Sequence, residues 1–348
     1  MTSIHDLETP SVLIDLDRMA RNIAAMQEHC NRLGLAFRPH IKTHKIPAIA
    51  RLQLEAGAVG IACQKLSEAR VFIEQGFHDI QIPYNIVGPQ KTARLADMAL
   101  YNRITVSADH PAVVAGLADA AAANGIALRV MVELVTDQAR AGAGPAEAVA
   151  LAERIEAEPN LHFAGLLLYP SNPAVRPALL EALGGLDRAG IGVDSVSGGG
   201  TGAAHHAAEM PELTELRVGT YVFNDWATVS RGWAAPDDCA MTVMATVVSR
   251  PTPDRAILDS GSKTLAMDRF DGEHGHILQY PGARIYQLNE EHAYVDVSAC
   301  DQRPVIGERV SVIPVHTCVV SNLHNVLYGV RGETVEVAWP VAARGMVW

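Results

Sequence analysis

FRPHIKTHK, residues 37–45, sets basic side chains at alternate positions: Arg38, His40 and Lys42. Side chains alternate faces along a strand, so an extended reading puts these three on one face and Phe37, Pro39 and Ile41 on the other. If the stretch opens a parallel barrel as its first strand, 36–42, Lys42 lies at the carboxyl end, where the active sites of such barrels gather. Cations stacked towards a barrel mouth are costly unless paired. A lysine beside other positive groups in a partly dry site has its pKa lowered, which frees its amine to bond a carbonyl carbon. The competing reading is a surface strand with its basic groups in solvent.

The flanking sequence supports a barrel. Strand-like runs at 11–16, 36–42, 60–65, 79–84, 104–109, 127–135, 162–169, 194–198 and 218–223 alternate with helix-like stretches such as 17–33, 67–76, 111–124 and 145–157. That alternation means a parallel sheet packed by helices. A closed (β/α) barrel needs eight strands. The run at 11–16 is followed by a long helix and is free to pair elsewhere. Beyond residue 236 the texture changes. Segments 240–249, 255–259, 293–297, 308–314 and 334–340 are short, rich in Val and Thr, and punctuated by Gly and Pro, which reads as antiparallel β.

Composition limits the function classes. The chain has 348 residues, 49% apolar and 19% charged, enough for more than one ordinary core. A net charge of −11 argues against a nucleic-acid surface. No apolar run is long enough to span a bilayer as a helix. The first residues, MTSIHDLETP, lack the basic and apolar regions of a signal peptide. Scattered, odd-numbered cysteines (Cys30, Cys63, Cys239, Cys300, Cys318) suit free thiols. The expectation is a cytoplasmic protein.

Two further motifs carry chemistry. In SVSGGGTG, residues 195–202, a strand runs into Gly198, Gly199 and Gly200, then Thr201 and Gly202. Glycines let backbone N–H groups approach a phosphate, and the Thr hydroxyl adds a donor. In isolation such a run is more often a plain loop. Paired with a lysine on the first strand, and placed late in a barrel where phosphate sites occur, it points to a phosphorylated aldehyde, pyridoxal phosphate. In VIPVHTCVVSNLH, residues 312–324, His316 and Cys318 share a face if extended. Imidazole with thiolate favours zinc, although a bare H-x-C is more often a packed Cys beside a hydrogen-bonded His.

Taken together, ETPSVLIDLDRMARNI (8–23), RPHIKTHK (38–45), GIACQKLSEA (60–69), SGGGTG (197–202), LRVGTYVFND (216–225), HTC (316–318) and WPVAARG (339–345) resemble the D-threonine aldolase and D-serine dehydratase group of pyridoxal phosphate enzymes, which have the alanine-racemase-like fold. The resemblance covers nearly the whole chain. It implies an α/β fold: a (β/α)8 TIM-like barrel over 20–235, and a β domain of 1–19 and 236–348 that takes the N-terminal strand and carries the metal site. It implies Lys42 as the lysine bonded to pyridoxal 5'-phosphate, with His40 supporting it. Gln64, Arg140 (towards the pyridine nitrogen), Tyr169, Gly199, Gly200, Thr201 and Gly202 are implied as cofactor contacts. His316 and Cys318 become ligands of a divalent metal, zinc favoured over manganese or magnesium. The substrate implied is a D-3-hydroxy amino acid, and the assembly a homodimer with the active site at the subunit interface. His-x-Cys is the dehydratase-like pair, whereas the residues after it look more like the aldolase branch. Val135, Pro170 and Ser171 depart from the aldolase pattern. Retro-aldol cleavage is the favoured reaction and dehydration the alternative. A racemase would need a second base such as Tyr280 or Tyr286, and a non-enzymatic cofactor-binding barrel would leave 236–348 unexplained.

Overall fold

The computed structural model describes residues 2–348. Their contacts divide the chain into two compact units: 26–42, 50–219 and 346–348 form one, and the segment up to Ala25, 43–49 and 220–345 form the other.

The first unit is the barrel. Its parallel strands are Ala36–Phe37, Ile61–Ala62, Asp79–Asn85, Arg103–Ala108, Leu128–Leu134, Leu161–Leu168, Ser195–Gly199 and Glu215–Arg217. They pair in chain order, with Ala36–Phe37 beside Glu215–Arg217. A parallel bridge from His40 to Ala62 closes the circle. Helices Leu66–Glu74, Pro89–Ala99, Pro111–Asn124, Pro145–Ala157 and Arg176–Arg188 fill the crossovers. Their ends are set locally. Pro111 occupies the first turn of its helix, His110 Nδ1 accepts the Ala112 N–H at 3.1 Å, and Gly125 closes the helix at φ 62°. The strands are buried on both faces, so they read as continuous apolar runs. Gly165 allows two of them to close up: a Cβ there would lie 1.9 Å from the Ser195 carbonyl oxygen.

Three of the expected strands differ, and of these the run 60–65 is a strand only at Ile61–Ala62. The stretch 36–42 is a ladder strand only at Ala36–Phe37. The Arg38 and His40 amides still donate to Leu216 and Val218 carbonyls, but Pro39 has no N–H to give, and Ile41–Thr43 winds into one 3₁₀ turn. Lys42 therefore leaves the strand alternation. The eighth strand is Glu215–Arg217, not 218–223, because the chain bends at Gly219 into a 3₁₀ turn at Thr220–Val222. Tyr221, Val222 and Phe223 are buried all the same. A short buried apolar run does not by its periodicity declare itself strand or turn.

In the second unit Met241–Thr252 is the hub. It pairs antiparallel with Ser11–Asp15, Arg255–Leu258 and Arg309–Pro314. The N-terminal strand thus joins the β unit, as the resemblance implies. Ser11–Asp15 also lies parallel to Val326–Arg331, the one parallel pair in this otherwise antiparallel sheet among the described residues. Strands Gly275–Ile277, Arg284–Leu288 and Val326–Arg331 were not among those expected.

Candidate active site

The barrel's candidate residues gather at the carboxyl ends of its strands. Lys42 follows the first strand, Gln64 the second, Arg140 the fifth and Tyr169 the sixth. The Lys42 Nζ lies 5.7 Å from the centre of the Tyr169 ring, and the Arg140 guanidinium 4.5 Å from it. Arg140 is also 3.6 Å from Glu133. Gln64, Asn85, Glu133 and Arg140 line a cavity of about 450 Å³. His40 Nε2 is 3.1 Å from Gln64 Oε1, and its Nδ1 faces the Lys42 backbone N–H at 3.4 Å. That pairing fixes one tautomer, with Nε2–H donating to Gln64 and Nδ1 accepting.

Arg38 has a different role from the one the alternation suggests. Its Nε binds Glu215 at 2.8 Å and its Nη1 binds Asp79 at 2.7 Å, all three side chains largely buried. Burial opposes its charge, but the two carboxylates outweigh that and hold its pKa above the ordinary arginine value. A cation matched in this way is not a source of positive field for Lys42. The charge beneath the glycine turn is Arg217, wholly buried and brought down to about 10 by desolvation. It donates to Ser197 Oγ, the Ser197 carbonyl and the Leu168 carbonyl. Burial also raises the Glu133 carboxyl, against the pull of Arg140 and Arg217.

The glycine segment fits a phosphate in a restricted way. Gly200 sits at φ 107°, and a Cβ on Gly199 would meet the Arg217 guanidinium at 3.2 Å. A Cβ on Gly198 would lie 2.6 Å from Ser171 Oγ, a buried hydroxyl with no partner among the described residues. The Gly200 amide is already given to the Arg217 carbonyl at 3.2 Å. The donors left at this turn are the amides of Thr201 and Gly202 and the Thr201 hydroxyl, three groups suited to an anion.

In the β unit, His316 and Cys318 are not on an extended segment. His316 is the N-cap and Cys318 the second residue of the helix Thr317–Leu323. The run Cys-Val-Val looks strand-like, but the Thr317 amide is captured at 3.3 Å by Asp225, a carboxylate only 2% exposed, which starts the helix. The two side chains still meet. Contact with Cys318 first, then the charges of Cys318, Asp225 and Asp268, raise the His316 imidazolium to about 9 against its burial. Asp268 Oδ1 is 3.3 Å from His316 Nδ1, which leaves Nε2 for another partner. Cys318 Sγ lies 3.2 Å from Thr43 Oγ1 and 3.9 Å from Thr220 Oγ1. Among the described residues no three His, Cys, Asp or Glu side chains could share one ion. The pair supplies imidazole and thiolate in a negative setting, a donor set that fits zinc with its other positions open.

A parallel barrel joined to a β unit that recruits the N-terminal strand, with Lys42 and a glycine turn at the strand ends, defines an alanine-racemase-like protein. A family model described as the N-terminal domain of alanine racemase matches residues 14–225, and a second model of serine dehydratase type matches 240–330. A D-threonine aldolase from Arthrobacter sp. is 36% identical, over 97% of this chain and 93% of that protein. A D-threo-3-hydroxyaspartate dehydratase from Delftia sp. is 30% identical over 90% of this chain and 91% of that one. The crystal structure of a D-threonine aldolase from Filomicrobium marinum superposes with a TM-score of 0.90 at 32% identity, covering 99% of this chain and 97% of that one. The chain belongs to the D-threonine aldolase and D-serine dehydratase-like family of pyridoxal phosphate enzymes.

Several residues of chemical weight escaped the sequence reading: Arg217, Asp225, Asp268 and Thr43. Arg217 stands directly before the run expected as a strand, 218–223, and nothing in that run marks its role. The others are placed by contacts across long sequence separations. Tyr280, considered as a second base, donates to Glu308 at 2.6 Å and is pushed up to about 12, chiefly by desolvation and that contact, which unsuits it for proton abstraction.

Proposed function

We propose that this chain is a lyase of D-3-hydroxy amino acids that uses pyridoxal phosphate and a divalent metal, and that it cleaves Cα–Cβ to give glycine and an aldehyde. The observation that carries the reading is the group at the barrel's strand ends: Lys42 and Arg140 over one Tyr169 ring, with anion donors at Thr201 and Gly202. Its likeness to an aldolase over almost the full length favours cleavage over other lyase chemistry.

When bound, pyridoxal phosphate supplies a sink for the electron pair left at Cα when a bond there breaks. When bound, a divalent ion supplies Lewis acidity at the substrate's hydroxyl oxygen. The chain's own residues do the rest. Lys42 Nζ would hold the cofactor aldehyde and, once displaced from it by the substrate amine, would give Cα a proton, which in the net balance replaces the one lost from the substrate hydroxyl. Gln64 and His40 fix the turn that carries Lys42. Arg140, held beside Glu133, would supply the cation for the cofactor's ring nitrogen. Thr201 and Gly202 hold the phosphate, and His316 and Cys318 hold the ion.

A second reading is dehydration, in which Lys42 Nζ removes the Cα proton and the hydroxyl leaves. Cys318 favours it. A D-threo-3-hydroxyaspartate dehydratase has been solved as a cysteine-to-alanine variant in the metal-free form, and as a variant of a histidine two positions earlier, the same spacing as His316 and Cys318. The family resemblance also supports a homodimer with the active site at the subunit interface.

Either lyase reading requires the ion but not for cofactor retention. Chelation should abolish turnover while the cofactor stays bound, and zinc should restore it. Full turnover in rigorously metal-free protein would remove His316 and Cys318 from the mechanism.

A further inference from the structure

We propose that Thr43 is a positioning residue for the metal ligand Cys318, its hydroxyl holding the sulfur where an ion requires it. The inference rests on the reading of His316 and Cys318 as ligands, and deepens it. Thr43 is fully buried, and its hydroxyl lies 3.2 Å from Cys318 Sγ, its one side-chain hydrogen bond among the described residues. Thr220 Oγ1, at 3.9 Å, is a longer contact to the same sulfur. A buried hydroxyl is costly unless it has a partner, and valine would fill the same volume without one. Sulfur bound to a cation carries no proton. In that state only the hydroxyl can donate, so the contact acquires one direction, from Thr43 to Cys318.

The opposite ligand is held by the same kind of device: Asp268 takes His316 Nδ1 at 3.3 Å. Groups behind a metal's ligands fix ligand orientation, and their loss costs metal affinity. Thr43 has one feature that Asp268 lacks. It ends the 3₁₀ turn Ile41–Thr43, directly after Lys42 in the chain. Its hydrogen bond to Cys318 is thus made by the residue next to Lys42 in the chain.

The test uses the full chain loaded with cofactor, with zinc alone as the probe. Zinc affinity is measured by chelator competition, and cobalt(II) is substituted to read the sulfur-to-metal charge-transfer band. Thr43→Val should weaken zinc binding by about 10–100-fold and shift the cobalt band, with cofactor content and melting temperature near the parent's. Thr43→Ser, which keeps the hydroxyl, should restore both the affinity and the band. Parent-like zinc affinity and an unshifted band in Thr43→Val would overturn the proposal, and so would equal weakening in the Val and Ser variants, which marks a packing effect. His316→Ala and Cys318→Ser separate the two levels. If they bind zinc as the parent does, the ligand assignment itself is wrong and Thr43 falls with it. If they lose zinc while Thr43→Val keeps it, only the role of Thr43 is overturned.

Discussion

Lys42, Lys45 and Lys65 all lie near the motif that opens the barrel, and they have different surroundings. Lys45 is buried and donates to the Ala343 carbonyl at 3.2 Å. Lys65 lies 4.0 Å from the Tyr84 ring centre. Lys42 alone among them faces Tyr169 beside Arg140. Borohydride reduction of the cofactor-loaded protein should therefore fix the cofactor to Lys42, and an adduct mapped to Lys45 or Lys65 would refute the assignment. Arg38 gives the contrasting lesson. Its place in an alternating basic run suggested a role beside Lys42, yet its partners, Glu215 and Asp79, are remote in sequence and could not be read from the run. Removing one partner of a buried ion pair costs about 3–5 kcal/mol. Glu215→Ala should fall near the lower end, because Asp79 remains, and urea unfolding should show it. Arg38→Met combined with Glu215→Leu should recover most of the loss. A Glu215→Ala variant with the parent's urea midpoint would mean that the pair contributes nothing.

Elements were legible where period and end signals agree. The helices Pro111–Asn124 and Pro145–Ala157 match the expected ranges, each with proline in the first turn. The failures are short elements decided by a single residue: Pro39 interrupts a ladder, Gly219 turns an apolar run, and Asp225 converts a β-rich run into the helix that carries Cys318. Strands such as Gly275–Ile277 were missed because a three-residue edge carries too little pattern. The glycine turn belongs to this scale. Gly200→Ala places a side chain at φ 107°, with Pro170 at an ordinary 3.5 Å, so its effect should be backbone strain of about 1–3 kcal/mol. Gly200→Asp adds a negative charge at the phosphate turn and should lower cofactor affinity well beyond the alanine variant. Equal cofactor affinity in the two variants would place the phosphate elsewhere.

At the scale of the whole molecule, the change of texture near residue 236 reveals two kinds of architecture, and the free N-terminal strand finds its place between Met241–Thr252 and Val326–Arg331. The candidate site was legible wherever its residues form runs, as at 38–45 and 197–202. Contacts between distant segments were not legible: Thr43 lies inside the run 38–45, yet nothing there shows that it meets Cys318, and Asp225 and Asp268 come near His316 only in the fold. No helix among the described residues is long and apolar enough to cross a membrane. Aldolases and dehydratases both stand among the relatives of this chain, and the two reactions differ in which proton leaves the substrate. The most direct measurement incubates the purified protein, loaded with pyridoxal phosphate and zinc, with D-threonine and with D-3-hydroxyaspartate, and quantifies glycine, aldehyde, ammonia and 2-oxo acid together. Cleavage predicts glycine and the matching aldehyde in equal amounts without ammonia, whereas ammonia with a 2-oxo acid and no glycine would contradict it.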